Sequence, residues 1–274
     1  MSSLQRNNVR VLGRGPRTML LAHGFGCDQN MWRHLVPAFE NDYRLVLFDY
    51  VGHGRADASA FDKTRYANLD GYADDILGIC EALAIRNAVF VGHSVSTMIG
   101  ILAAQKDQSL FSALVLIGPS PRYVNDGTYV GGFAREDIDG LLDFLDSNFL
   151  GWSSTMAPVI MGNADRPALS DELANSFCRT DPEIAKHFAR VTFLSDNRAD
   201  LASVNVPTLI LQCSQDAIAP EGVGRYVEMH IPASTFVQLR ATGHCPHLSD
   251  PAETIGAIQS FLATHSSPGD AALQ

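Results

Sequence analysis

Six short runs dense in Val, Leu and Ile recur along the chain, at residues 18–22, 44–48, 87–91, 113–117, 208–213 and 235–239. Most show almost no polar alternation, the pattern of strands covered on both faces of a sheet. Between them the apolar positions fall into a helical period. The candidates are 29–39 behind Asp28 as N-cap, 71–84, 95–105, 222–230, and 252–264 behind Asp250 with Pro251 in the first turn. Strands alternating with helices predict βαβ units and a mainly parallel sheet flanked by helices, an α/β fold.

The alternation breaks between residues 121 and 197. Several helical patterns follow one another there without a strand, punctuated by Gly131-Gly132, Pro158, Pro167 and Pro182. Leu141, Leu142, Phe144 and Leu145 fall in one of them, and Ile184, Phe188 and Val191 in another. The pattern predicts a core of residues 1–120 and 198–265, a helical cap of 121–197 inserted after one strand, and a flexible tail of 266–274 rich in Ser, Pro and Gly.

With 274 residues, 46% of them apolar, the chain can bury one large core, which favours a single domain carrying an insertion. A formal charge of −10 and scattered Lys and Arg argue against a nucleic-acid partner and against a membrane-surface helix. No stretch approaches the roughly 20 apolar residues of a transmembrane helix. Residues 1–10 are polar and lack the apolar centre of a signal peptide. Cys27, Cys80, Cys178, Cys213 and Cys245 are odd in number and widely spaced, with no CxxC pair. They read as buried or idle thiols in a reducing cytoplasm.

The chemistry concentrates at Gly92-His93-Ser94-Val95-Ser96, where an apolar strand runs into a small-residue turn and then a helix. This is the strand–turn–helix context of the G-x-S-x-G nucleophile elbow, with Ser96 replacing the second glycine. The bland alternative is a serine that only caps a helix. A serine nucleophile needs a base oriented by an acid, in the chain order Ser, acid, His. Asp216 follows the strand at 208–213, and His244 follows the strand at 235–239. Both lie just beyond strand C-termini, where open α/β sheets place their ligand sites. His247 competes with His244 as base. His244 is favoured because it lies in the loop directly after the strand, leaving His247 a supporting or structural role. A metal site of His244, Cys245 and His247 lacks an evident further protein ligand. For an oxyanion hole, the candidates are the N–H groups of Val95 and of Phe25, the latter in the loop His23-Gly24-Phe25-Gly26. His23 reads as a structural histidine holding that loop, and Asp49, Gly52, His53 and Gly54 as turn chemistry.

These motifs, with Phe48-Asp49-Tyr50-Val51-Gly52, Gly118-Pro119-Ser120-Pro121-Arg122-Tyr123, Arg179-Thr180-Asp181-Pro182 and Gly243-His244-Cys245-Pro246-His247, give the chain a family resemblance. Over nearly its whole length it resembles the RsbQ-like α/β-hydrolases, bacterial regulators of the general stress sigma factor that act with a PAS-domain phosphatase. It is also similar to the plant karrikin and strigolactone receptors, whose elbow Ser96 matches. The resemblance implies an α/β-hydrolase fold with a four-helix, V-shaped cap over a small apolar pocket, and Ser94, Asp216 and His244 as the triad. It puts Phe25, Phe133, Met156 and Phe193 at or near pocket-lining positions, although as apolar cap residues they could equally be ordinary core. Dehalogenases and epoxide hydrolases of this fold carry aspartate where this chain has Ser94. Two functions follow: hydrolysis of a small apolar ester or lactone through an acyl-serine, or ligand sensing for a PAS-domain phosphatase or other signalling protein with slow or incidental hydrolysis. No cofactor or metal is implied.

Overall fold

Each of the six apolar runs is a strand in the computed structural model of the chain, which describes residues 1–265. The tail assigned to 266–274 lies outside the described residues. The strands are β2 (Arg17–Ala22), β3 (Tyr43–Leu47), β4 (Ala88–His93), β5 (Phe111–Ile117), β6 (Thr208–Gln215) and β7 (Ser234–Thr242), preceded by β1 (Arg10–Leu12). They form one sheet in the order β1-β3-β2-β4-β5-β6-β7, parallel throughout except for β1, which pairs antiparallel with β3. β1 escapes the sequence pattern because it is three residues long and mostly exposed on the sheet edge.

Successive side chains of a strand point to opposite faces, and both faces here are covered. Met19, Leu21, Val89, Val91, Val115, Ile117, Leu209 and Leu211 enter one core cluster; Leu20, Ala22, Phe90, Leu114, Leu116 and Ile210 enter the other. That double burial is why the strands read as unbroken apolar runs.

The helices are α1 (Ser3–Arg6), α2 (Val36–Phe39), α3 (Asp70–Ala82), α4 (Val95–Lys106), α5 (Arg135–Ser147), α6 (Phe149–Met161), α7 (Pro167–Arg179), α8 (Pro182–Phe193), α9 (Glu221–His230), α10 (Pro246–Ser249) and α11 (Pro251–Thr264). The four helices α5–α8 follow one another between β5 and β6, as the break in the alternation requires. Two expectations need correction. The helix at 29–39 is a 3-10 turn, Gln29–Trp32, capped by Asp28, and then α2. Pro37 lacks an N–H and its ring would crowd the carbonyl four residues back, so the helix restarts there instead of continuing. Pro158 is not a boundary but lies inside the last turns of α6. Residue 154, whose carbonyl Pro158 leaves without a helical donor, is exposed, so water can serve it.

Candidate active site

β4 passes directly into the turn, and α4 begins at Val95. Ser94 has φ +56° and ψ −125°, a conformation costly for a residue with a side chain. Neighbouring groups hold it there. Its N–H donates to the Ile117 carbonyl at 2.9 Å, and its own carbonyl accepts from the Thr97 N–H at 2.9 Å and the Thr97 hydroxyl at 2.6 Å. A Cβ at residue 92 would stand 2.7 Å from the Phe90 ring and 2.8 Å from the Ser96 carbonyl oxygen, so the turn closes only over glycine. Ser96 is used rather than tolerated. Its hydroxyl donates to the His23 carbonyl at 2.5 Å and pairs with the Tyr50 hydroxyl at 2.8 Å, all within the core.

Asp216 and His244 stand just beyond the ends of β6 and β7. His244 Nδ1 lies 2.7 Å from Asp216 Oδ2, and Nε2 lies 2.8 Å from Ser94 Oγ. A carboxylate only accepts, so Nδ1 carries the proton and Nε2 is free to accept from the Ser94 hydroxyl. The other Asp216 oxygen accepts from the N–H groups of Ile218 at 2.8 Å and Ala219 at 3.0 Å, which fixes the carboxylate. Three bonds hold the His244 loop. The His244 N–H donates to Ile160 O and the Gly243 N–H to Gln215 O, both at 2.7 Å, while His93 Nε2 donates to the His244 carbonyl at 2.8 Å. Gly243, at φ +77°, lets the loop pass close to α6, because a Cβ there would fall 1.9 Å from the Met161 carbonyl oxygen.

His247 is a different kind of residue. Its ring packs 4.9 Å from Trp32 and 4.6 Å from His93, and among the described residues neither nitrogen has a hydrogen-bond partner. Burial pulls its pKa down to about 3, which keeps the ring neutral. His23 is neutral for the same reason. Its Nε2 accepts from the Tyr50 N–H at 3.1 Å and its Nδ1 lies 2.9 Å from Gly24 O, so it braces the loop. Asp49 also acts as turn chemistry, accepting from the N–H groups of Gln29 and Arg55. Among the described residues, no three potential metal ligands converge.

The 23–26 loop crosses directly over the elbow. A Cβ on Gly24 would meet His93 Nδ1 at 2.5 Å and Ser94 Cβ at 3.3 Å. Among the described residues, neither the Phe25 N–H nor the Val95 N–H has an acceptor. Ser94 and His244 open onto a cavity of about 30 Å³, closed by Phe25, Tyr123, Phe177, Phe193 and Ile218. Aromatic packing fills most of the space. The Phe25 ring centroid is 5.9 Å from each of Trp152, Phe177 and Phe188, and 6.1 Å from Phe193.

Of the four residues expected to line the pocket, Phe25 and Phe193 do so. Phe133 and Met156 are not among the cavity's lining residues and pack half-buried on the core cluster, as Phe25 also does. Tyr123 went unassigned in the sequence, although it ends the motif at 118–123. It lines the cavity together with Ser94 and His244. Phe177 belongs to no motif and reaches the cavity only through the fold of α7.

Comparison with known proteins bears on the fold and the family. The sequence profile of the alpha/beta hydrolase family matches residues 19–257. A strigolactone esterase of Arabidopsis thaliana is 42% identical over 260 residues, covering 94% of this chain and 97% of that protein. A karrikin insensitive 2 receptor of Petunia hybrida is 40% identical over 248 residues, covering 90% and 92%. The solved structure of a hydrolase from Oleispira antarctica superposes with a TM-score of 0.93 at 41% identity, covering 95% of this chain and 96% of that one.

Proposed function

The chain belongs to the alpha/beta hydrolase family, and from that premise we propose that it is a serine hydrolase acting on a small apolar ester or lactone. The observation that carries this reading is the hydrogen-bonded line from Asp216 through His244 to Ser94, ending under a small, mainly apolar cavity. In the proposed reaction the Ser94 oxygen attacks the ester carbonyl carbon and its proton passes to His244 Nε2. The N–H groups of Phe25 and Val95 receive the developing oxyanion. His244 then gives its proton to the departing alkoxide, leaving an acyl-serine. Water, deprotonated by His244, attacks the acyl carbon, and collapse releases the acid and restores the Ser94 hydroxyl. Four of the five cysteines are buried free thiols, in keeping with a reducing cytoplasm.

The test is p-nitrophenyl acetate hydrolysis by the wild type and Ser94→Ala, followed from the pre-steady state. Turnover should fall by about 10³-fold or more in the variant. Equal rates would sink the assignment. A second reading is favoured by the small cavity and by the similarity to a protein named as a receptor. In it the chain is an RsbQ-like ligand sensor of a stress pathway, with a PAS-domain phosphatase as partner and hydrolysis slow. A Ser94-dependent burst followed by little turnover would favour that reading; rapid steady turnover on a metabolite would count against it.

A further inference from the structure

Among the described residues, two that line the cavity carry a buried polar side-chain atom with no partner: His93 through Nδ1 and Thr192 through Oγ1. His93 Nδ1 lies directly beneath Gly24, where even a Cβ would come within 2.5 Å, so it is sealed from a ligand. Thr192 is different. It stands on the last turn of α8, 1% exposed, next to Phe193. A threonine inside a helix commonly returns its hydroxyl to the carbonyl one turn back. This one does not, although its own carbonyl accepts from the Ser195 N–H and hydroxyl. An unpaired buried hydroxyl is destabilising, and the residue that carries it lines the space where the substrate must lie.

We propose that Thr192 is a specificity-determining residue whose hydroxyl donates a hydrogen bond to a second, non-reacting oxygen of the substrate. The preferred substrates are then small apolar esters or lactones with an ether or carbonyl oxygen away from the scissile carbonyl. This inference rests on the serine-hydrolase reading. A site built to pair with an oxygen discriminates strongly against the analogue lacking it, because the site's own group is left unpaired.

The experiment uses two pairs of esters in which one CH₂ is exchanged for oxygen: p-nitrophenyl methoxyacetate with butyrate, and 3-methoxypropanoate with pentanoate. The ether-to-alkyl ratio of kcat/KM is measured for the wild type, Thr192→Val and Thr192→Ser, so intrinsic ester reactivity cancels between enzymes. Thr192→Val should lower the ratio about tenfold in at least one pair, the worth of roughly one hydrogen bond. Thr192→Ser should stay within about twofold of wild type. Unchanged ratios in both pairs for Thr192→Val would overturn the proposal, as would an equal fall for Thr192→Ser, which would mark packing rather than the hydroxyl. If Ser94→Ala hydrolysed all four esters as fast as wild type, the serine-hydrolase reading would fail first and take the proposal with it.

Discussion

Restoring the consensus glycine of the elbow by Ser96→Gly should damage this protein. The Tyr50 hydroxyl, kept protonated by burial, donates to Ser96 Oγ, and Ser96 Oγ–H donates to His23 O. Removing the Ser96 hydroxyl leaves a buried phenol and a buried carbonyl each without a partner, at about 1–3 kcal/mol apiece. Glycine in the first turn of α4 adds up to about 1 kcal/mol of backbone entropy. The expected loss is about 3 kcal/mol, a fall in Tm of roughly 5 °C for a chain of this size. The His23 carbonyl also begins the loop that carries the Phe25 N–H, so kcat should fall about tenfold with a smaller change in KM. Urea denaturation gives the stability and p-nitrophenyl acetate kinetics the rate. A double-mutant cycle isolates the chain of bonds: Tyr50→Phe removes one stranded partner, so Tyr50→Phe with Ser96→Ala should cost less than the sum of the two single changes. Wild-type stability in Ser96→Gly, or strict additivity in the cycle, would refute the argument.

Three further outcomes follow from the same geometry. Phe177→Ala should open the small cavity and shift the chain-length profile from p-nitrophenyl acetate towards the octanoate, while costing about 3–5 kcal/mol in urea denaturation; an unchanged profile would remove Phe177 from the pocket wall. Gly118 has φ +59°, and a Cβ there would stand 3.0 Å from His244 Cε1 and 3.2 Å from Nδ1, so Gly118→Ala should lower kcat about 10²-fold with KM near wild type. Burial holds His53 and His247 at pKa values of about 3, below the ordinary 6.5. The unfolded chain therefore binds protons that the folded one refuses, and stability should decline as pH falls from 6.5 towards 3, by about 1.4 kcal/mol per pH unit for each ring. A urea midpoint that stays flat from pH 7.5 to 5 would contradict this.

The fold was legible where burial leaves its mark on consecutive residues. Strands covered on both faces become unbroken apolar runs, so all six parallel strands stood out, and the missing strand between β5 and β6 marked the inserted helices. β1 was invisible because it is short and mostly exposed. The 29–39 helix was overdrawn because its apolar period runs through Pro37, and periodicity carries no information about a missing N–H. Pro158 misleads in the opposite direction, since a proline on the exposed side of a helix's last turns disturbs little.

The site divides along a different line. Ser94, Asp216 and His244 could be picked out because each follows a strand end, and a parallel sheet brings its strand ends to one edge whatever the side chains do. The choice between His244 and His247 needed more: three residues along the chain turn a ring that meets Asp216 and Ser94 into one buried against Trp32. The cavity wall depends on helix phase and on how α5–α8 pack, so a residue's type says little about whether it arrives there. Phe133 and Met156 are as apolar as Phe193 and yet do not line the cavity, whereas Phe177 and Thr192 reach it without any motif to mark them. The line from Asp216 to Ser94 is thus encoded in the backbone framework, and the cavity wall in tertiary phase, so one scaffold can keep the first while varying the second.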